Sequence, residues 1–212
     1  MFDLALYKTP KIIQKLFPSV IWRMEDSQKF IYLTFDDGPI PALTAEILNI
    51  LKDFNAKATF FCVGENIKKY PSIFEEILAE NHAVGNHTFN HLKSWKSEEK
   101  DFIDNVNLCQ SEIEKHHKDK KKLFRFPYGQ FSRKIVKKLK KDGFDIVMWD
   151  VLSKDYNLSI PKNEILTKAI KNTTNGSIIV FHDNLKAKDK ILELLPLYLK
   201  HFHDIGYKFE RL

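Results

Sequence analysis

The chain has 212 residues, 43% of them hydrophobic, which is enough to bury a core and fits a single globular domain over residues 1–212. Its formal net charge of +6 comes partly from lysine clusters at 118–122 and 134–141, which indicate solvated faces, with a weak preference for anionic polymers as the alternative. No stretch approaches the roughly 18 uninterrupted apolar residues of a membrane-spanning helix. The sequence therefore predicts no transmembrane segment, no nucleic-acid partner and no protein partner.

The start of the chain and its two cysteines bear on where the protein works. Charged residues at positions 3, 8, 11 and 15 interrupt the first apolar stretch, so no signal-peptide core can be read there. We expect a cytoplasmic protein, or a cell-envelope or extracellular one if the chain is a processed form. Cys62 and Cys109 both fall in apolar patterns, which predicts two free buried thiols.

Short apolar runs alternate with amphipathic stretches along most of the chain. The runs predict seven strands, at 30–35, 59–63, 83–86, 123–126, 146–149, 178–182 and 207–210. Helices are predicted between them, for example with apolar faces within 43–54, 73–78 and 102–113, a Ser132 cap, an opening at Pro161 and a last helix over 191–202. This alternation predicts an α/β fold, a single-domain distorted (β/α) barrel of about seven parallel strands with outer helices.

Two adjacent carboxylates, Asp36 and Asp37, follow the first predicted strand and precede Gly38. Neighbouring side chains diverge at a strand end, so one carboxylate can bind a metal while the other moves a proton. An ordinary turn is the alternative, because Asp-Asp-Gly is also typical turn chemistry.

Two histidines four residues apart, His87 and His91, follow the third predicted strand. On a helix or helical turn, this spacing can direct their nitrogens to one point, although surface histidines are the alternative. With Asp37 they would form a set of two histidines and one carboxylate. Such a set leaves coordination positions open, as a catalytic metal site requires.

Further polar and aromatic residues stand at the ends of later predicted strands. Arg125 could hold Asp36 in its ionised form, or could be a structural arginine in a Pro-Gly turn. His182 could be a functional residue or a packed core histidine. Trp149 and Tyr156 could belong to the core or stack on sugar rings.

In chain order, these segments resemble the polysaccharide deacetylases of carbohydrate esterase family 4, also called the NodB homology domain. Five motifs within residues 30–210 carry the resemblance: TFDDG at 34–38, HTFNH at 87–91, RFPYG at 125–129, WDVLSKDY at 149–156 and IIVFHD at 178–183. The ordered set makes the match specific.

The resemblance implies a role for each matching residue. It implies that Asp36 is the catalytic base and that Arg125 orients it. The implied ligands of a divalent metal are Asp37, His87 and His91, with zinc first and cobalt, nickel or manganese as alternatives. The backbone N–H of Tyr128 is implied as a donor to the oxyanion and His182 as the catalytic acid. Substrate binding is assigned to Pro127, Trp149, Tyr156 and Val180.

The fourth motif departs from the family's DxxDW pattern. Leu152 stands where we expect the aspartate that tunes the acid, and Tyr156 stands where many members have tryptophan. We therefore expect His182 to lose its usual carboxylate partner, which would lower its pKa, unless Asp150 or Asp155 substitutes.

The function implied is metal-dependent N-deacetylation of an N-acetylglucosamine-containing poly- or oligosaccharide, chitin-like or peptidoglycan-like. The partner expected is thus an acetylated glycan. One alternative is an O-acetyl esterase acting on acetylated xylan, because an alcohol leaves more easily than an amine. The other is a catalytically idle, metal-bound carbohydrate-binding domain.

Overall fold

A parallel β-sheet with helices around it forms the frame of the protein. A computed structural model describes residues 6–25, 28–118 and 121–212, and its strand pairings are all parallel. The strands are β1 (Phe30–Asp36), β2 (Thr59–Cys62), β3 (Ala83–Asn86), β4 (Lys122–Phe124), β5 (Phe144–Ile146), β6 (Val151–Leu152), β7 (Ile178–His182) and β8 (Lys208–Glu210). Their order is β5-β4-β3-β2-β1-β7-β6, with β8 paired to β1.

The helices lie between these strands in the chain. They are α1 (Lys11–Leu16), α2 (Leu43–Asp53), α3 (Gly64–Lys69), α4 (Pro71–Ala79), α5 (Glu99–His116), α6 (Arg133–Lys141), α7 (Lys162–Asn172) and α8 (Lys188–Asp204). Short 3₁₀ turns occur at Ser94–Lys96 and Pro127–Gly129. None of the helices in the described residues is both long and apolar enough to cross a membrane.

The largest hydrophobic core lies between the sheet and helices such as α2 and α8. Leu43, Ile47 and Leu51 bury the predicted apolar face of α2 against it. The rings of Phe35 and Phe60 stack at 4.9 Å on neighbouring strands. Full burial of each such side chain contributes about 2 kcal/mol, so this layer supplies much of the stability that holds the strand ends in place.

The predicted barrel is confirmed, with one strand placed wrongly. The prediction at 146–149 is wrong because the chain leaves β5 at Ile146 and crosses toward β7. The N–H of Val147 still donates to Phe124, whereas the N–H of Asp150 donates to Ile178. The two-residue strand β6 then follows. The prediction of two free buried thiols is confirmed.

An N-terminal segment, residues 6–25, lies between β5 and β6. Ile21 bridges to Val147 in parallel, next to β5, and Lys8 bridges to Val151 of β6 in antiparallel orientation. The described part of this segment therefore joins the two sides of the sheet that β5 and β6 leave apart. Its helix α1 buries none of its residues, and it was not predicted from the sequence.

The carboxyl ends of the strands carry most of the residues singled out above. Asp36 ends β1, His87 follows β3, Arg125 follows β4 and His182 ends β7. In the β1–β7 pair, Asp36 lies opposite His182. Because the strands are parallel, these side chains meet at one edge of the barrel.

Candidate active site

Asp37, His87 and His91 lie together at this edge. The Oδ1 atom of Asp37 is 3.1 Å from Nε2 of His91 and 3.5 Å from Nε2 of His87. One ligand atom from each of the three residues lies within 4.8 Å of the others. Asp37 has a φ of 89°, and this sharp turn directs its carboxylate away from that of Asp36 toward the histidines.

Hydrogen bonds orient these three side chains. Nδ1 of His87 lies 2.9 Å from the carbonyl of Arg125, which fixes the proton on Nδ1 and leaves the lone pair of Nε2 free. The side-chain amide of Asn184 donates to Oδ2 of Asp37 at 2.6 Å. Oδ1 of Asp37 is buried and accepts no hydrogen bond of good geometry from any described residue. An orphaned carboxylate oxygen beside two imidazole nitrogens fits a divalent metal.

The protonation of Asp37 also suits this fit. Burial by itself would raise its pKa, but the contacts with His87 and His91 and the charge of His182 lower it well below the ordinary value. Asp37 is therefore a carboxylate at neutral pH, as a metal ligand must be.

The loop that carries the two histidines is not the helical turn expected from their spacing. Thr88 and His91 both have positive φ, at 66° and 57°. Side chains stabilise these bends: Asn86 accepts from the N–H of Thr88, and the Thr88 hydroxyl accepts from the N–H of Leu92. The two imidazoles converge through a bent loop, with ring centroids 5.0 Å apart.

Arg125 holds Asp36. Its side chain is fully buried, and Nη1 donates to Oδ1 of Asp36 and to the hydroxyl of Thr34, both at 2.7 Å. The guanidinium also donates to the carbonyls of Val147 and Met148, so all three of its nitrogens are used. The direction of the Asp36 carboxylate is therefore set by a charged group that cannot move.

His182 has a carboxylate partner, which corrects the expectation drawn from Leu152. Its Nδ1 lies 2.7 Å from Oδ1 of Asp155, and its backbone N–H donates to Oδ2 of Asp155 at 2.8 Å. Burial lowers the pKa of His182, but Asp155 and the nearby acidic groups outweigh it and raise the pKa to about 9. Asp150 does not serve this role, because its carboxylate binds Lys8 and Ser177.

These groups open into one cavity of about 1340 Å³. Of the residues expected to bind substrate, Trp149, Tyr156 and Val180 line it. Pro127 is buried and is absent from the described wall of the cavity. The ring of Tyr156 packs edge-on against His182, with centroids 4.8 Å apart.

Tyr128 and Trp95 stand at the mouth of the site. Tyr128 has a φ of 60°, is 51% exposed and lies 4.5 Å from the ring of His91. Trp95 packs edge-on against Tyr128 and is 44% exposed. Gly129 follows in the turn, where a Cβ would lie 2.4 Å from the Trp149 ring.

Sequence reasoning missed two parts of this site. Asn184 was not singled out, although it follows the fifth motif directly and bonds to Asp37. The N-terminal segment also lines the cavity, through residues that include Ile13, Phe17 and Trp22. Nothing in its local pattern signals this, because the contact depends on where the segment crosses the barrel.

Known proteins share this fold and sequence. Residues 23–147 match the family model described as "Polysaccharide deacetylase". A peptidoglycan-N-acetylglucosamine deacetylase of Bacillus cereus is 31% identical over 191 residues, which cover 90% of this chain and 89% of that protein. A chitooligosaccharide deacetylase of Azorhizobium caulinodans is 37% identical over 164 residues, covering 76% and 77%.

Solved structures agree. A peptidoglycan N-acetylglucosamine deacetylase in complex with 4-naphthalen-1-yl-N-oxidanyl-benzamide superposes with a TM-score of 0.88 at 28% identity, covering 96% of this chain and 95% of that one. A pseudoenzyme of carbohydrate esterase family 4 from Bacillus anthracis gives a TM-score of 0.82 at 25% identity, covering 92% and 68%. The fold, the ordered motifs and these matches lead to one conclusion: the chain belongs to the polysaccharide deacetylase family.

Proposed function

We propose that the protein is a metal-dependent hydrolase that removes N-acetyl groups from N-acetylglucosamine-containing oligosaccharides or polysaccharides, chitin-like or peptidoglycan-like. One observation carries the proposal: a set of metal donors, Asp36 held by Arg125, and His182 held by Asp155 open into the same cavity. Amide hydrolysis needs a base for water, a stabilised oxyanion and an acid for the leaving nitrogen. Each of these three needs has a candidate group here.

The proposed metal ligands are Asp37, His87 and His91, a donor set that suits zinc first, then cobalt, nickel or manganese. When bound, such a cation supplies a Lewis acid that lowers the pKa of water and polarises a carbonyl group. The bond from His87 to Arg125 and the bond from Asn184 to Asp37 hold the donors in position. The chain therefore presents a preorganised set rather than one that must be assembled.

Asp36 is the proposed base. Oδ1 of Asp36 accepts the hydrogen bond of Arg125, and Oδ2 lies 3.9 Å from Nε2 of His87, so its second oxygen faces the donor set. A carboxylate at this position can take the proton of the attacking water. Arg125 prevents its rotation away from that direction.

His182 is the proposed acid, because an amine leaves readily only when its nitrogen is protonated. With its pKa raised to about 9 by Asp155, the imidazole carries a second proton at neutral pH. Nδ1 is engaged by Asp155, which leaves the proton on Nε2 for the departing nitrogen. The backbone N–H of Tyr128 is the proposed protein donor to the developing oxyanion.

The substrate class follows from the relatives, which are named for peptidoglycan N-acetylglucosamine and for chitooligosaccharide. Both contain an N-acetylated glucosamine unit. In the cavity of this chain, Trp149 and Tyr156 offer rings that can stack on a sugar, and Val180 offers an apolar surface to the acetyl methyl.

An O-acetyl esterase acting on acetylated xylan is the second candidate. An alcohol leaves more easily than an amine, so a weakened acid would matter less for an ester, and the contact between Asp155 and His182 argues against a weakened acid. An idle carbohydrate-binding domain is the third candidate, and a pseudoenzyme of this fold makes it worth testing. A missing base or acid would favour that reading, but Asp36 and His182 both line the cavity.

The test is acetate release from N-acetylglucosamine oligomers and from acetylated xylan, measured in parallel on protein stripped by a chelator and then reloaded with zinc or cobalt. We expect release from the N-acetyl oligomers only after reloading. Asp36→Asn, the same size without basicity, is expected to reduce kcat by about 100-fold or more while metal content stays at one ion per chain.

Acetate release from acetylated xylan alone would show that the protein is an O-acetyl esterase rather than an N-deacetylase. No acetate release from either substrate, with oligomer binding intact, would favour the idle carbohydrate-binding domain. Full release from stripped protein would contradict the metal dependence.

A further inference from the structure

One side of the active-site cavity is built from apolar side chains. We call it the apolar wall, and it consists of Leu6, Ile13, Phe17, Trp22, Phe131 and Met148. Phe131 joins its parts, because its ring packs edge-on against Phe17 at 5.0 Å and lies 6.2 Å from Trp22. The aromatic part of the wall is thus preformed by packed rings.

Two polar groups in and beside this wall already bond within the protein. Nε1 of Trp22 donates to the carbonyl of Phe17 at 3.1 Å. The hydroxyl of Thr9, which also lines the cavity, donates to the carbonyl of Trp149 at 2.7 Å. These two donors are engaged, and the six side chains of the wall are apolar in their exposed parts, so this side of the cavity suits a hydrocarbon better than a further sugar ring.

The apolar surface continues outward onto α1. Ile13 faces the cavity yet is 37% exposed, and Ile12 and Leu16 of the same helix are 68% and 55% exposed. Adjacent aliphatic side chains left in water are unfavourable and mark a surface that binds something apolar. Exposed Lys11 and Lys15 flank them, so the rim of the surface is cationic.

The apolar wall is continuous with the reactive centre. Trp149 lines the same cavity, and its ring lies 5.9 Å from the guanidinium of Arg125, which holds the proposed base. At the other end, the guanidinium of Arg133 lies 5.2 Å from the ring of Phe17. A chain attached to a sugar in the site would therefore run along apolar side chains toward a cationic rim.

We propose that the apolar wall binds a hydrocarbon chain carried by the acetylated sugar, so that the substrate is an amphiphile. The inference rests on the proposed deacetylation and names its substrate class. Continuity with the reactive centre identifies the occupant as part of the substrate, and the cationic rim complements an anionic group near the chain.

The first test compares two substrates, the methyl and octyl β-glycosides of N-acetylglucosamine, below the micellar concentration of the octyl compound. Each buried methylene strengthens binding by up to about fourfold. We expect KM for the octyl glycoside to be at least about tenfold lower, because several methylenes contact the wall. Equal KM values would overturn the proposal.

Two exposed aliphatic side chains give matched variants. Ile13→Glu places a charge on the apolar wall and is expected to remove the advantage of the octyl glycoside. Leu158→Glu makes the same kind of change at a side chain that is 72% exposed and lies outside the described cavity wall, and is expected to keep that advantage. An equal effect of both variants would contradict the assignment of the wall.

A binding measurement separates this inference from the proposed function. Octyl glucoside has no acetyl group, and its binding can be followed by tryptophan fluorescence because Trp22 and Trp149 line the cavity. Saturable binding that Ile13→Glu abolishes would support the wall even if no acetate is released from any substrate. Hydrolysis of both glycosides without binding of octyl glucoside would overturn the wall and leave the deacetylation standing.

Discussion

Four hydrogen bonds fix the carboxylate of Asp155. Its Oδ1 accepts from Nδ1 of His182, from the hydroxyl of Ser153 and from the N–H of Tyr156. Its Oδ2 accepts the backbone N–H of His182, so both oxygens are used. A fully buried carboxylate held in this way sets both the direction and the charge of the histidine beside it.

Asp155→Asn is expected to move the alkaline limb of the pH profile of kcat/KM to lower pH. Burial lowers the pKa of His182 and the carboxylate raises it to about 9, so losing that charge lets burial dominate. His182 then loses its proton at lower pH, and we expect activity at pH 8 to fall by about 10- to 100-fold.

Asp150→Asn is the matched control for this prediction, because Asp150 is equally buried but binds Lys8 and Ser177. We expect the control to keep the alkaline limb of the wild-type profile. If the alkaline limb of the Asp155→Asn profile stays at the wild-type pH, Asp155 does not set the pKa of the group that titrates there.

At the scale of elements, the N-terminal segment helps to hold the wall of the site in place. Nζ of Lys8 donates to Oδ2 of Asp150 at 2.6 Å and to the carbonyl of Asn172 at 2.7 Å. Asp150 is 1% exposed and stands next to Trp149 in the cavity wall. The segment therefore neutralises a buried charge just before β6, the strand to which it bridges.

Lys8→Met is expected to lower the free energy of unfolding by about 2 kcal/mol. A buried pair broken on one side usually costs about 3–5 kcal/mol, and the partial exposure of Lys8 reduces this value. The measurement is urea denaturation. Lys15→Met is the control, since Lys15 is exposed and forms no ion pair among the described residues. Equal midpoints for the two variants would contradict the structural role of the pair.

The elements also show what the sequence can predict. The strand predictions at 83–86 and 178–182 match β3 and β7, because those apolar runs end at polar residues of the site. The two-residue strand β6 and the helix α1 were missed, since one is too short and the other has no buried face to produce a period.

The part of the site that lies at the carboxyl ends of the strands could be predicted from the sequence. Asp36, Asp37, His87, Arg125 and His182 meet as parallel topology requires. The partner of His182 could not be decided from position in a motif, because Asp155 reaches it through the turn after β6. The apolar wall depends on a segment distant in sequence, and no local pattern encodes that contact.

Across the whole molecule, the two ends of the barrel hold histidines whose pKa values are shifted in opposite directions. The pKa of His182 is raised and that of His82 is lowered. His82 precedes β3 and thus lies at the end of the barrel away from the site. It is 3% exposed, and its Nδ1 accepts the N–H of Ala58 at 3.1 Å. Burial, helped by the charges of Lys57 and Arg211, lowers the pKa of His82 to about 4.

The stability of the protein is therefore expected to fall as the pH falls below about 6.5, the ordinary pKa of histidine in an unfolded chain. Between that value and about 4, the unfolded chain binds a proton that the folded His82 does not, so stability rises with pH in this window. The expected contribution is about 2 kcal/mol between pH 7 and pH 5.

His82→Asn keeps an acceptor for the Ala58 N–H and removes the titration. Urea denaturation of both proteins at pH 7 and pH 5 isolates the effect, because the carboxylates common to both cancel in the difference. The wild type is expected to lose about 2 kcal/mol more than the variant. The same pH dependence in both proteins would show that His82 does not titrate in this window.

The pairing of β1 with β7 places Asp36 directly opposite His182, although the two residues are far apart in the chain. Their spacing is a property of one hydrogen-bonded ladder and does not depend on the length or shape of the connections between the strands. Relatives can thus lengthen, shorten or exchange those connections, and so change which molecules enter the cavity, without altering the separation of the proposed base from the proposed acid. The ladder allows recognition to evolve separately from the chemistry.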